Sequence, residues 1–431
     1  MKPFTTPPWV SRTTLTVGIL VMTALGPVAL AGERGDSGLP PGPGNPLADL
    51  QRQINELSGR LSALEEASQS LTVTVNCAAG ERITDVQDRV ANFVPRVTII
   101  VDGICRESVS IWRDRITLQG KSVGDGLEAP SPTDTVLTLD GSHRTRLSQL
   151  ALVGGSTGLK GQGGATFSAV DLHISGTGYG ILVEQNVAGS LRNTVVENGS
   201  KTGILAQMGA TLWVNGGLIE NNALFGVVAD KGGQVFLLNG AVVRNSGIGV
   251  MAQSGGSINI NGATVKASGG FGAIANPGGS IYVSGPNSLI TATGTLKPAL
   301  VAGNGGAVWL MNGARVANNF GGGVFGFNGS SVNITNGAIV ENNTGHGLEL
   351  SLGSSGMLTS GSIIQGNTGD GIHLNDVSVV GFAPPEEGGQ SILNNGGYGI
   401  FCAPPPAVAQ FTGPATITGN GLGATNCPGP R

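Results

Sequence analysis

Residues 203–222, GILAQMGATLWVNGGLIENN, hold three short apolar strands separated by turn residues. Side chains in each strand alternate between apolar and small or polar, as they do where one face is buried. The same unit recurs along the chain. Its opening residue is Gly158, Gly180, Gly203, Gly226, Gly249, Gly272, Ala299, Gly323, Gly347, Gly371 and Gly399 in turn. The steps are 22, 23, 23, 23, 23, 27, 24, 24, 24 and 28 residues. A unit this short buries its apolar face only by stacking on its neighbours, so the repeat predicts a solenoid. Three strands per coil make it an all-β fold, a parallel β-helix.

The alternation assigns columns. In the third strand Ile219, Val243, Val265, Val316, Val340 and Ile364 face inward. Two residues on, Asn221, Asn245, Asn318 and Asn342 are expected to face inward too and to hydrogen-bond along the axis. Glu220, Arg244, Lys266, Glu341 and Gln365 should face water. In the first strand an outward column reads Leu182, Leu205, Val228, Met251, Ile274, Val301 and Phe325, then Glu349 and His373. In the second it reads Trp213, Phe236, Asn259, Tyr282, Trp309 and Asn333. At about 4.8 Å per coil each column is a strip of roughly 25–30 Å. Apolar strips of that extent mark an interface or a ligand groove. The aliphatic strip, Leu182 to Phe325, is expected to pack subunits together. Trp213, Phe236, Tyr282 and Trp309 are expected to stack on glycan rings, whose C–H faces suit aromatic side chains.

Glycine supplies 74 of 431 residues, charged residues 12% and aromatics 4%. This is too glycine-rich and charge-poor for an ordinary helical or α/β enzyme, and the glycines lack the collagen period. Mean hydropathy is positive, which argues against disorder beyond the N-terminal linker. A net charge of −4 offers no basic stripe, so nucleic acid is not an expected partner.

The N-terminus divides into segments. Residues 1–31 read as a secretory signal: Lys2 and Arg12, an apolar stretch from Leu15 to Leu30, and an Ala29-Leu30-Ala31 cleavage site. The protein is therefore expected to be exported, to the periplasm, the cell surface or the exterior. Residues 32–46 form a Gly/Pro linker. Over residues 47–70, Leu47, Leu50, Ile54, Leu57, Leu61 and Leu64 alternate at spacings of three and four. That heptad series predicts a short coiled coil and hence a homo-oligomer, a dimer or trimer. Residues 71–431 form the β-helix, with Arg82–Val94 as a helical cap on its open first coil. Four cysteines in an exported chain make a disulfide framework with three connectivities. Cys77 and Cys105 lie near the start of the solenoid and Cys402 and Cys427 near its end, so pairing within each end would staple the two terminal coils. No C-x-x-C or nearby histidine suggests a metal there, and neither metal nor cofactor is expected elsewhere.

The G-[IVL]-x-[AVL] … [LVI]-x-[VIL] … [VI]-x-N-N units resemble the right-handed parallel β-helix repeats of the pectate-lyase-like superfamily. The opening Ile99-Ile100-Val101-Asp102-Gly103 … Ile116-Thr117-Leu118-Gln119-Gly120 is similar to the first coil of many exported members. The likeness covers about residues 72–427 and implies a right-handed, single-stranded β-helix with coils of 22–24 residues. It implies no single activity, because the superfamily holds polysaccharide lyases, glycoside hydrolases, epimerases, esterases and non-enzymatic surface proteins. Its hydrolases carry paired aspartates beside Gly-His-Gly. This chain has Gly345-His346-Gly347 without the aspartate pair. Asp370 holds the equivalent position one coil later, and Glu349 and His373 lie two places into the same strands. These four residues are the candidate acid–base site of a polysaccharide lyase or hydrolase. A binding or structural surface protein, with a glycan as partner, is the reading the columns favour over an enzyme.

Removing residues 32–70 is expected to weaken or abolish oligomers, because Leu50, Leu57 and Leu64 supply the d seam. Light scattering that finds the intact mature protein monomeric at micromolar concentration would refute this.

Overall fold

The computed structural model describes residues 52–60, 70–90, 94–245, 247–266, 269–291, 294, 296–383, 389–404, 407–411 and 415–428. The expected signal and linker lie outside these residues, as do 47–51 and 61–69 of the heptad segment. Residues 52–60 are helical, within a unit separate from the solenoid. Ile54 and Leu57 of the heptad seam are exposed on it. Among the described residues no helix is long and apolar enough to cross a membrane.

The rest of the described chain winds into a parallel β-helix. Every strand pairs in parallel with its counterpart one coil away, which builds three long sheets of 14, 15 and 14 strands. The first sheet collects the strand after each repeat glycine, such as Thr202–Gln207, the second strands such as Thr211–Asn215, and the third strands such as Leu218–Glu220. In that coil Ile204, Ala206, Leu212, Val214 and Ile219 are fully or almost fully buried. Inward residues from all three sheets merge into one continuous apolar core.

The asparagine column runs one residue later than the alternation suggested. Asn221, Asn318 and Asn342 have φ of 53°, 58° and 53° and are exposed. Their left-handed backbone turns the chain, so that the next residue, not they, enters the interior. The buried column is Asn222, Asn245, Asn319, Asn343, Asn367 and Asn395, continued by the more exposed Asn420. Asn245 follows Arg244 without that extra turn residue, so the simple count held there. From Asn343 on, each side-chain oxygen accepts from the preceding coil's asparagine: Asn343 Nδ2 donates to Asn367 Oδ1 at 2.9 Å, and Asn367 Nδ2 to Asn395 Oδ1 at 2.9 Å. The Asn343 backbone N–H also donates to Asn367 Oδ1, at 3.1 Å.

The outward third-sheet residues pair charges between coils. Arg244 binds Glu220, and Arg315 binds Glu341, which also accepts from Gln365 Nε2 at 2.8 Å. Glu341 is thereby largely buried rather than freely solvated.

The N-terminal end is capped. Ser70–Asn76 pairs with Arg96–Asp102 of the next coil, and the cap between them is a helix at Ile83–Arg89. Ile83 is fully buried, and Val86, Val90 and Val94 pack on the core. The buried Glu107 carboxylate accepts the free N–H groups of Ile83 and Thr84 at 2.6 and 3.3 Å. It thus satisfies donors that the first helical turn leaves without partners. Disulfides join Cys77 to Cys105 and Cys402 to Cys427, one in each terminal region.

Asn343→Ala is expected to cost about 3 kcal/mol, because it orphans several buried hydrogen-bonding groups. Asn342→Gly should leave stability unchanged or slightly raised, since glycine adopts a positive φ without strain. Urea unfolding of the two variants checks the assignment, and the reverse ranking would contradict it.

Candidate active site

Two adjacent columns on the outer face of the first sheet pack together into an apolar strip. Its floor is the predicted column, in register from Leu182 through Leu205, Val228, Met251, Ile274, Val301 and Phe325 to Glu349, His373 and Phe401. This floor is not the open strip that the alternation implied. Val228, Met251 and Ile274 are 5–7% exposed and Val301 is closed off entirely. Phe225, Ile248 and Phe271, each just before a repeat glycine, pack against the floor with Phe325 and Phe327 and form a second apolar cluster outside the core.

Further along, the same two columns change chemistry. The position before the glycine becomes His346, Asp370 and Tyr398, while the floor becomes Glu349, His373 and Phe401. His373 Nδ1 lies 2.7 Å from Asp370 Oδ2, and His346 Nδ1 lies 3.3 Å from the same oxygen. The other oxygen, Asp370 Oδ1, accepts the Tyr398 backbone N–H at 2.6 Å. The Asp370 backbone N–H donates to His346 Nδ1 at 3.0 Å. That bond places a lone pair on Nδ1 and the His346 proton on Nε2. The His346 and His373 rings stand 4.1 Å apart, and His373 stacks on Phe401 at 4.7 Å. Asn375 Oδ1 lies 3.2 Å from His373 Nε2.

Burial and neighbouring charge set the protonation states. Burial lowers the His346 pKa below 6.5, reinforced by the charge of His373 and opposed by that of Asp370. Burial pushes Glu349 above 4.5, against the pull of His373. Burial alone would raise Asp370. The His373 and Tyr398 hydrogen bonds and the two imidazoles override it and hold the carboxyl below 3.8. Asp370 is therefore a carboxylate, His346 a neutral donor through Nε2, and Glu349 an acid that keeps its proton longer than an exposed glutamate.

His346, Asp370 and His373 could also offer three ligand atoms, all within 4.8 Å of one another. The two Nδ1 atoms are already engaged, one by the Asp370 backbone N–H and one by the Asp370 carboxylate, so a metal bound through them would have to displace those bonds.

All four residues singled out from the sequence thus converge. Tyr398, Phe401 and Asn375 were missed, although aligning the coils on their glycines places Tyr398 beside Asp370 and Phe401 beside His373. The aromatic column of the second sheet is likewise in register, from Trp213 through Phe236, Asn259 and Tyr282 to Trp309. Its rings stack on one another: Trp213 on Phe236 at 5.6 Å and 9°, Tyr282 on Trp309 at 4.5 Å and 10°. Parallel rings that close must lie across the helix axis, presenting edges to water while one face of each is taken by its neighbour.

The family model described as right handed beta helix region matches residues 157–320. No characterised protein matches the chain by sequence. Among solved structures, the A-module of the Azotobacter vinelandii mannuronan C-5 epimerase AlgE6 is 15% identical, with a TM-score of 0.45 over 78% of this chain and 91% of that one. The AlgE4 A-module from the same organism is 12% identical, with a TM-score of 0.38 over 78% and 90%. The catalytic domain of a GH87 α-1,3-glucanase is 13% identical, with a TM-score of 0.34 over 83% and 66%. Likeness this distant carries no substrate or mechanism across to this chain.

Trp309→Ala is expected to cost about 1 kcal/mol or less, the scale of one half-exposed aromatic pair. A loss of roughly 3–5 kcal/mol in thermal or urea melts would instead mark the ring as core.

Proposed function

We propose that this right-handed parallel β-helix repeat protein binds a linear, uronic-acid-containing glycan along the outer face of its first sheet and cleaves it by elimination. One observation carries the reading. The two columns that form the closed apolar strip upstream hold His346, Asp370, Glu349 and His373 in the next coils, so a polymer lying along the outer face of this sheet runs straight over an acid–base cluster. Beside the strip stand the half-buried Glu184, Gln207, Asp230, Gln253 and Asn276 at the ends of successive strands, polar groups that suit sugar hydroxyls. Asp230 Oδ1 is buried there without a hydrogen-bond partner.

In this reading Asp370 orients His373 through Nδ1, which leaves Nε2, once released by Asn375, to take the proton from the carbon beside the uronate carboxyl group. The C–H electrons form the new double bond as the glycosidic C–O bond breaks. Glu349, on the adjacent coil, gives its proton to the departing oxygen. His346 Nε2–H supplies a neutral donor to the charge that develops on the carboxyl group. Hydrolysis would ask for two available carboxyl groups. Here Asp370 has both oxygens engaged, which favours elimination. The two disulfides support export to an oxidising compartment, and residues 1–31 are proposed as the signal that directs it. Glycan binding by the aromatic column is a second reading, supported by its unbroken register. It is weakened by rings that turn edges rather than faces outward.

Incubation with polygalacturonate, alginate and neutral glucans, followed by the ultraviolet absorbance of unsaturated product, tests the proposal. Glu349→Gln and His373→Ala should each lower turnover by about 10²–10⁴-fold. Activity should fall on the alkaline side as Glu349 loses its proton, at a pH above the 4.5 of an ordinary glutamate, and Glu349→Gln should flatten that limb of the residual rate. No product from any uronate polymer, or reducing ends without unsaturation, would overturn elimination.

A further inference from the structure

Charges stacked between neighbouring coils of this solenoid mostly come in opposite signs. Lys121 binds Asp102 at 2.7 Å, Lys160 binds Glu184 at 3.2 Å, His173 meets Glu197 at 2.9 Å, and Arg244 and Arg315 bind Glu220 and Glu341. Glu197 and Glu220 are opposed with like sign, but each also has a cationic or imidazole partner. A longer run of like charge has no such partner. Arg96, Arg115 and Arg144 each immediately precede the first inward residue of a second-sheet strand, in three consecutive coils. The Val97 N–H donates to Arg115 O, and the Arg115 N–H to His143 O. The three arginines therefore succeed one another at the coil spacing of about 4.8 Å. Arg146 adds a fourth guanidinium two residues beyond Arg144, in the outward column that follows Thr98 and Thr117.

These four arginines are exposed. Among the described residues their side chains make no ion pair or hydrogen bond. They line a recess of about 430 Å³ together with Thr98 and Thr117. Asp114 lies in the adjoining recess with Trp112, and its Oδ1 is occupied by the His143 N–H at 2.7 Å. Like charges stacked across strands repel, so the fold gains nothing from this arrangement. A chain of net charge −4 thus holds a local basic array that its total charge conceals.

We propose that Arg96, Arg115, Arg144 and Arg146 bind an extended acidic glycan, its carboxylate or sulfate groups placed along the axis and its hydroxyls on Thr98 and Thr117. Guanidinium forks suit such oxyanions. The array follows a line, as anions on a linear polymer do. It lines a recess, which the headgroups of a planar bilayer do not enter. No aromatic side chain lines that recess to stack bases, which disfavours single-stranded nucleic acid. The array lies on the second sheet near the N-terminal end and does not depend on the chemistry proposed for the first sheet.

Hydrogen exchange and calorimetry with hexameric oligogalacturonate, against maltohexaose as the neutral control, test the site. The acidic hexamer should protect segments 94–119 and 143–148 and bind several-fold more weakly as salt rises from about 50 to 200 mM. Arg96→Gln/Arg146→Gln should abolish that protection and weaken binding there at least about tenfold, the scale of losing two charge-assisted contacts. Arg115→Asn/Arg144→Asn should do the same, with asparagine chosen because both positions have φ near 60°. Thermal melts of both pairs should match the parent. Protection confined to residues 346–401 would overturn the array while leaving the first-sheet reading intact. Unchanged affinity at segments 94–148 in both double variants would overturn it too, as would tighter binding there of phosphatidylserine vesicles or oligo-dT.

Discussion

The coils hold together at one corner, where the third strand turns back into the first. A buried asparagine there bonds to the next coil's asparagine through its side-chain amide. Its backbone N–H donates to the same oxygen. The repeat glycine four residues later must pass directly over this pair. A Cβ at Gly347 would come within 2.4 Å of Ile364 Cγ2 and 2.8 Å of Asn367 Nδ2, and one at Gly323 within 2.9 Å of Asn343 Nδ2. At Gly323 and Gly347 the glycine and the asparagine ladder are therefore one feature, because a side chain there would press on the amides that join the coils.

The same corner positions the chemistry. Three residues separate a ladder asparagine from the glycine after it, and the last of them stands at the outer face of the first sheet. It is Phe225 after Asn222, Ile248 after Asn245 and Gly322, without a side chain, after Asn319; Phe225 and Ile248 pack on the floor. From Asn343 onward it is His346, Asp370 and Tyr398. The ladder is continuous there, from Asn319 to Asn420, so these side chains issue from the most tightly bonded stretch of the turn. Backbone N–H groups of the turn, from Asp370 and Tyr398, complete the site by fixing the His346 tautomer and holding Asp370 ionised. Preorganisation of this kind comes from the scaffold and needs no additional loop.

Electrostatics follow from stacking as well. A solenoid brings residues of equal position within about 4.8 Å of each other, so each charge meets its counterpart in the next coil. Most columns answer with an opposite charge. The His346, Asp370 and His373 group places two imidazoles on one carboxylate, and burial lowers His346 until it is neutral. The arginine array has no such answer within the chain.

Much of this was legible in the residue order. The period gave the fold, the strand alternation gave both outward columns, and Gly345-His346-Gly347 with Asp370 one period later gave the His346–Asp370 contact. Pairing the cysteines by end also held, because a bridge can join only residues that the coils bring close. What failed did so where counting loses phase. A left-handed residue at Asn221, Asn318 and Asn342 resets the alternation, so the ladder fell on the following asparagines. The arginines escaped notice because their coils are irregular, with 19 residues from Arg96 to Arg115 and 29 from there to Arg144, and no fixed period aligns them. Sequence alone determined which residues share a face, since the two-residue repeat of a strand is a covalent property of the backbone. Only the tertiary structure decided which neighbours reach over that face and how the rings turn. Both depend on packing between coils, and no one coil encodes that packing by itself.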